Sequence, residues 1–296
     1  MKNILIIGAN GFTGRRILND LSVNPIYHVT GCSLRDDICP GKDYRFVRTD
    51  IRDENEVRIL FKECRPDIVI NTSALSVPDY CETHHAEAEA TNVTAVETIA
   101  HVCEQYGSRF IHLSTDFVFD GKSTRLYKEE DEAIPVNYYG VTKLKAEKII
   151  ASICSNYAIV RVVVVYGKAL PGQHGNILQL VANRLRNGET IRVVSDQWRT
   201  PTFVGDISVG VEKLMFHTAN GIYHICGSEC LTIAEIAYRV ADFLKLDRSL
   251  IEPVTTEEMK ETTPRPRFSG LSIEKAKAEI GYTPRTLEEG MEASLF

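Results

Sequence analysis

The run Asn3-Ile-Leu-Ile-Ile-Gly-Ala-Asn-Gly-Phe-Thr-Gly14 decides how the rest of the chain reads. Asn3 to Ile7 is a short apolar stretch, the pattern of a strand buried on both faces of a parallel sheet. Gly8, Gly11 and Gly14 follow at regular spacing, and Arg15 to Leu21 then has helical character. A glycine cluster by itself is an ordinary turn. Set between a strand and a helix, it lets the backbone turn tightly and brings helix N-terminal N–H groups against a pyrophosphate. The spacing is Gly-x-x-Gly-x-x-Gly rather than the commoner Gly-x-Gly-x-x-Gly, and we expect a dinucleotide site on Gly8, Asn10, Gly11, Phe12 and Gly14.

The alternation of strand and helix continues outward from this turn. The next strand, Tyr27-His-Val-Thr-Gly-Cys-Ser33, ends without the acid that would bind the ribose 2'-hydroxyl of NAD; the chain offers Ser33 and then Arg35. An acid repels a 2'-phosphate, whereas a hydroxyl and a guanidinium hold one. NADP(H) is therefore the preferred cofactor and NAD(H) the alternative, with Asp36 and Asp37 leaving open that Arg35 is a solvated loop residue. Tyr44 to Val47 reads as a strand leading to Asp50 and Ile51, placed to meet an adenine. A helix from Glu54 to Cys64 precedes the strand Asp67–Ile70, after which Asn71, Thr72, Ser73 and Ala74 are suited to lie beneath a cofactor. A long helical stretch from about His85 to Tyr106 precedes the strand Phe110–Leu113. Repeated β-α-β units give an α/β fold, a doubly wound parallel sheet that binds its ligand at the carboxyl edge.

Thr115 stands on that edge, and Tyr139-Gly-Val-Thr-Lys143 opens a later helix. Tyr and Lys four apart project from one helix face, so a phenol and an ammonium can converge on one site. A free phenol has a pKa of about 10, and a neighbouring ammonium brings it toward neutrality, which suits proton transfer. Taken alone, the pair reads more readily as a Tyr packed over an aliphatic Lys stem, and its weight comes from what lies around it.

Composition narrows the function classes. The 296 residues, 44% hydrophobic and 25% charged, suit a globular chain of one large domain, or of one domain with a smaller lobe. A net charge of -6 without a Lys/Arg-rich run argues against nucleic acid as a partner. The absence of a long apolar run argues against a membrane span, and a strand-like start leaves no room for a secretory signal, so a cytoplasmic location is expected. Eight scattered cysteines without Cys-x-x-Cys read as thiols rather than disulfides or a zinc site. His84 and His85, beside Glu82 and Glu87, read as surface residues, and no metal ligand is assigned.

The glycine turn, Asn71-Thr-Ser-Ala74, Asn92-Val, Ser114-Thr-Asp116 and Tyr139-x-x-x-Lys143 occur in order. Together they resemble the extended short-chain dehydrogenase/reductases, sugar-nucleotide epimerases, dehydratases and reductases of Rossmann type. Within that family the pattern is similar to the dTDP-4-dehydrorhamnose reductases in Arg65-Pro-Asp-Ile-Val-Ile-Asn71, Asp79 with Glu82, Leu113-Ser-Thr-Asp-Phe-Val-Phe-Asp-Gly121, Asp196-Gln197 with Pro201-Thr202, and Arg265 to Leu271. The resemblance implies Tyr139 as proton donor, Lys143 on the nicotinamide ribose, Thr115 on the substrate oxygen, and Asn92 among the cofactor-site residues. It implies NADPH-dependent reduction of a nucleotide-linked 4-keto-6-deoxysugar, foremost dTDP-4-dehydro-L-rhamnose, and leaves open a Mg²⁺ requirement and a homodimer. Ser76, Asp116, Val164, Gln197, Thr200, Thr202, Arg265 and Arg267 are the expected substrate contacts. Val164 stands where rhamnose-forming reductases commonly carry a Trp, and Leu75-Ser-Val-Pro-Asp-Tyr80 departs from the usual run, so another nucleotide sugar is the alternative substrate. A non-catalytic NADP-binding regulatory subunit with the same fold is the reading from a different class.

The pattern changes after about Tyr166 to a Pro/Gly loop, a helix over 176–188 and the mixed turn Ser195–Thr202. We expect residues 1–165, with 203–226 returning, to form the nucleotide domain, and 166–202 with 227–296 to form a smaller, discontinuous substrate lobe.

Overall fold

The opening apolar run forms β1 (Lys2–Ile7), the glycine turn follows it, and α1 spans Phe12–Ser22. The structure, a computed structural model, describes residues 1–40, 43–173 and 175–294; His174 of the expected Pro/Gly loop and the last two residues of the expected lobe lie outside the described residues. β2 (Tyr27–Ser33), β3 (Arg45–Arg48), β4 (Ile68–Asn71), β5 (Arg109–Thr115) and β6 (Tyr157–Val162) follow in the chain. With the strand Gly221–His224 they make one seven-stranded parallel sheet, ordered from that strand through β6, β5, β4, β1 and β2 to β3. The fold is a Rossmann-type doubly wound α/β fold. Strand order reverses between β1 and β4, and at such a reversal a crevice opens beyond the carboxyl ends of the strands.

Alternation within β1 shows why both faces are covered. Ile4 and Ile6 pack with Ile17, Leu18 and Leu21 of α1 and with Ile207, Val211 and Leu214 of the helix Val204–Phe216. Leu5 and Ile7 pack on the opposite face with α2 (Glu54–Cys64), α5 (Ala95–Tyr106) and α6 (Tyr138–Ile153). Each such aliphatic side chain, fully buried, contributes about 1.5–3 kcal/mol relative to exposure. A third apolar cluster joins the helix Ile177–Arg186, capped by Asn176, to the helix Ile233–Leu244, capped by Thr232, over the parallel ladder of Ile191–Val194 with Ile251–Val254.

The stretch read as one long helix from His85 to Tyr106 is interrupted. After α3 (Pro78–Thr83) come α4 (His85–Glu89), a π turn over Ala90–Thr94, and only then α5. A π turn adds one residue to the helical turn and is a common device for aiming a side chain. Here the residue it carries inward is the buried Asn92. All eight cysteines are free thiols. Among the described residues no helix is long and apolar enough to cross a membrane, and no group of His, Cys, Asp and Glu is gathered to hold a metal ion. His84 stacks on Tyr80 and His85 on Tyr138.

Candidate active site

The registers Ile7↔Asn71 and Asn71↔His112 bring the ends of β1, β4 and β5 to one edge of the sheet. Gly8 has φ +82°, and a Cβ there would lie 2.7 Å from the Ser73 nitrogen; a Cβ on Gly14 would lie 2.3 Å from the Gly8 carbonyl oxygen and 2.5 Å from Thr72 Oγ1. Neither position has room for a side chain. Gly11 occupies the α1 N-cap without a side-chain cap, so the first N–H groups of the helix have no side chain drawn over them. A bare helix N-terminus beside a side-chain-free turn is a cradle for phosphate, and it fits the pyrophosphate of a dinucleotide.

Other expected cofactor residues shape this crevice through their bonds. Thr72 Oγ1 donates to the Ile7 carbonyl at 2.8 Å, and Ser73 N–H and Oγ–H both donate to Asn71 Oδ1 at 3.0 and 2.6 Å. Ala74 is half-buried beside them. Asn92 accepts from Leu75 N–H at 2.8 Å and donates to the Leu75 carbonyl at 3.0 Å and to Thr142 Oγ1 at 3.1 Å, which pins the 71–75 segment to α6. Asn10 donates to the Arg35 and Asp36 carbonyls and fixes the loop after β2. Asp37 in that loop pairs with the buried Arg15 at 2.5 Å and accepts from Cys39 N–H at 3.0 Å and from Tyr44 at 2.7 Å; burial raises its carboxyl pKa, but the Cys39 N–H, Tyr44 and Arg15 together hold it below the usual range. Arg35 is exposed and Ser33 half-buried. Asp50 is held by Arg52 at 2.6 Å, and Ile51 packs against the core.

Thr115 is the last residue of β5, and Tyr139 lies in the first turn of α6. The two elements meet closely because residue 140 is glycine: a Cβ there would sit 2.1 Å from the Phe117 carbonyl oxygen. Asn137 caps α6 by accepting from Gly140 N–H at 2.9 Å, and its amide donates to the Pro264 carbonyl at 2.9 Å, tying the helix start to the C-terminal segment. Thr115 Oγ1 accepts from Phe117 N–H and donates to Asp116 Oδ1, both at 3.2 Å. Burial first, and then the Asp116 carboxylate, push the Tyr139 phenol above its ordinary pKa, while hydrogen bonding with Thr115 opposes them. The sequence led to the opposite expectation, a phenol brought toward neutrality by Lys143. The reason for the difference is geometric: Lys143 Nζ is engaged at β5, 2.7 Å from the Leu113 carbonyl and 2.8 Å from His112 Nε2. Burial lowers the Lys143 pKa to about 8. The site as built keeps the phenol protonated beside a threonine hydroxyl.

The expected substrate residues fall into two groups. Gln197, Thr200 and Thr202 are buried with their polar atoms used internally: Gln197 Nε2 donates to Glu261 at 2.9 Å, Thr200 Oγ1 accepts from Leu271 N–H at 3.3 Å, and Thr202 donates to the Val163 carbonyl at 2.6 Å. Asp116 is also buried, accepts from Ser269 Oγ and lies 3.8 Å from Arg199; burial raises its pKa and these partners oppose the rise. Arg265 and Arg267 stand nearer the surface, Arg265 between Asp79 and Glu261, Arg267 against Glu257. Ser76 is exposed. Val164 has φ +37°, a left-handed backbone that a β-branched residue adopts only under constraint, here with its carbonyl held by Thr202 N–H at 3.1 Å.

The glycine crevice, Thr115 and Tyr139 thus share one edge of the sheet. The model of the RmlD substrate binding domain matches residues 1–295. The chain belongs to this family, within the extended short-chain dehydrogenase/reductases. A probable low-salt glycan biosynthesis reductase of Haloferax volcanii is 30% identical over 291 residues, covering 97% of this chain and 95% of the relative. A methionine adenosyltransferase 2 subunit beta of Xenopus laevis is 31% identical over 290 residues, covering 96% and 84%. The dTDP-4-dehydrorhamnose reductase of Bacillus anthracis, solved in complex with NADP, superposes with a TM-score of 0.86 at 26% identity, covering 100% of this chain and 99% of that one.

Several residues of the site of this RmlD-family chain were not singled out from the sequence. His112 reads as one more strand residue, Arg199 only as part of the mixed turn Ser195–Thr202 suited to a sugar diphosphate, and Asn137 and Ser269 carry no assigned role, because nothing local marks a buried partner that is distant in the chain. A histidine and an arginine at positions whose neighbours are all apolar or small were the available signal.

Proposed function

We propose that the protein is an NADPH-dependent reductase of the 4-keto group of a nucleotide-linked 6-deoxysugar, with dTDP-4-dehydro-L-rhamnose as substrate and dTDP-L-rhamnose as product. The observation that carries the reading is the close approach of the start of α6 to the end of β5 at Gly140, which sets the Tyr139 phenol beside Thr115 at the sheet edge next to the glycine crevice. A bound nicotinamide supplies hydride to the carbonyl carbon. Tyr139 gives its proton to the oxygen as charge develops there, Thr115 fixes that oxygen, and Lys143 donates to the nicotinamide ribose. Gly8, Gly11 and Gly14 hold the pyrophosphate. Preference for NADP rests on Arg35, exposed on the loop after β2 for a 2'-phosphate; of the two acids that follow it, Asp37 is paired with Arg15, while Asp36 is exposed beside it.

Two observations favour other readings. Val164, in place of a Trp, favours a different nucleotide sugar. The likeness to the transferase beta subunit favours a non-catalytic NADP-binding role. NADPH oxidation measured with dTDP-4-dehydro-6-deoxyglucose, with and without its 3,5-epimerase, beside UDP- and GDP-linked 4-keto sugars, separates the three. The rhamnose reading expects epimerase-dependent oxidation with the dTDP sugar. Turnover of another sugar alone replaces the substrate, and tight NADPH binding with no turnover across the set replaces the enzyme.

A further inference from the structure

The mixed polar turn Ser195–Thr202 suits a sugar diphosphate, and its arginine, Arg199, is the natural ligand for one; yet that guanidinium is buried and its forked donors are already used. Nη1 donates to the Trp198 carbonyl at 2.8 Å and to the Arg267 carbonyl at 3.3 Å, and Nη2 donates to Gln197 Oε1 at 3.0 Å and to the Pro266 carbonyl at 2.8 Å. Nε remains, and it lies 3.8 Å from Asp116 Oδ2. Among the described residues no other cation pairs with that buried carboxylate. The other acid near Arg199, Glu261, is bonded by Gln197 and faces Arg265 at 3.3 Å. A buried carboxylate depends on its counter-charge. Burial lowers the Arg199 pKa and raises that of Asp116, and the charge of each opposes the shift of the other.

The two residues that Arg199 meets, Asp116 and Phe117, are those that border Thr115 and Tyr139. Asp116 Oδ1 is 3.2 Å from Thr115 Oγ1. Phe117 is engaged three ways: its N–H donates to Thr115 Oγ1 at 3.2 Å, its carbonyl closes on Gly140, and its ring meets the Tyr139 ring edge-on, with centroids 6.1 Å apart at 72°. Arg199 Cζ stands over the Phe117 ring, 5.9 Å from its centroid. We propose that Arg199 is a positioning residue that holds Thr115 and Tyr139 in place through Asp116 and Phe117, and that it is not a ligand of the substrate diphosphate. This rests on the reductase reading and deepens it, since it makes the turn a support for the reacting groups and leaves Arg265 and Arg267, nearer the surface, for the phosphates. A lysine in its place keeps the charge but not the planar fork that grips the turn and the segment Pro266–Arg267.

The test compares Arg199→Lys, which keeps a cation for Asp116 and loses the fork, with Arg199→Met, which loses both. In full-length protein with NADPH and ¹³C-labelled tyrosine and threonine, the Tyr139 ring and Thr115 methyl NMR signals are assigned by their loss in Tyr139→Phe and Thr115→Val. Both signals are expected to move in Arg199→Met and to stay near their wild-type positions in Arg199→Lys, although both variants unfold at lower temperature. With a keto sugar that the wild type reduces, Arg199→Met lowers kcat by about a hundredfold, the scale of misplaced reacting groups, at unchanged KM, and Arg199→Lys restores most of the rate. Affinity for dTDP, UDP or GDP, read by calorimetry, stays at the wild-type value in both variants. Signals unmoved in Arg199→Met, or moved equally in the two variants in step with their stability, overturn the proposal. So does nucleoside diphosphate binding weakened by about 10-fold or more, the mark of a lost phosphate ligand. Where Arg199→Met does not fold, Phe117→Leu, which leaves every Arg199 hydrogen bond in place, is expected to move the Tyr139 ring signal, and an unmoved signal overturns the proposal. A wild type that reduces no keto sugar ends the reductase reading, while the NMR comparison still decides what Arg199 holds.

Discussion

At the scale of single residues, the site is decided by which polar atoms are already spent. Thr72, Ser73, Asn92 and Asn10 use theirs to shape the crevice walls, and Asp37 uses its carboxylate on Arg15 and Tyr44. Arg35, exposed on the same loop, is the residue proposed to meet a 2'-phosphate. Arg35→Ala is expected to weaken NADPH by about 10- to 100-fold, the scale of a lost charge-assisted hydrogen bond, and NADH little. Titration of both cofactors by fluorescence checks it, and an equal loss for the two would remove Arg35 from that role. The tight glycine turn between β1 and α1, and the placing of Tyr139 and Lys143 on one helix, were legible in the sequence because local spacing sets them. The charge relation of Tyr139 and Lys143 was not. A four-residue interval shows that two side chains share a helix face, but the Lys143 amine turns to β5, and only the partner strand reveals that.

Among the elements, α6 matters most, since it carries both Tyr139 and Lys143. Its closeness to the end of β5 depends on Gly140, where a Cβ would overlap the Phe117 carbonyl at 2.1 Å and crowd Pro135 at 2.8 Å. Gly140→Ala is expected to push the helix start away from Thr115 and lower kcat by about a hundredfold, as misplacement by an ångström does, with NADPH affinity nearly unchanged. Steady-state kinetics beside cofactor titration check this, and an unchanged kcat would show that the contact is relaxed without cost. The strands and most helices were readable because apolar runs and helical periodicity survive in the sequence. The π turn at Ala90–Thr94 was not readable, since one extra residue in a turn leaves the pattern on either side looking helical. What creates it is tertiary, the paired bonds of Asn92 to the Leu75 backbone.

For the whole molecule, the nucleotide crevice and the C-terminal segment are joined at the catalytic end rather than through a linker. Asn137 binds the Pro264 carbonyl, Asp116 binds Ser269, and Arg199 Nη2 donates to the Pro266 carbonyl at 2.8 Å. The ends of β5 and α6 that carry Thr115 and Tyr139 are thereby tied to the C-terminal segment as well as to the sheet. That union was beyond reach of the sequence, because Asp116 and Ser269 lie 153 residues apart. The chemistry assigned to this arrangement is tested most directly by single-turnover NADPH oxidation with dTDP-4-dehydro-6-deoxyglucose and its 3,5-epimerase, comparing the wild type with Tyr139→Phe. The predicted result is oxidation by the wild type and a hydride-transfer rate at least about a hundredfold lower in the variant, the scale of a lost general acid, with NADPH bound equally well by both. Equal rates in the two proteins would contradict it.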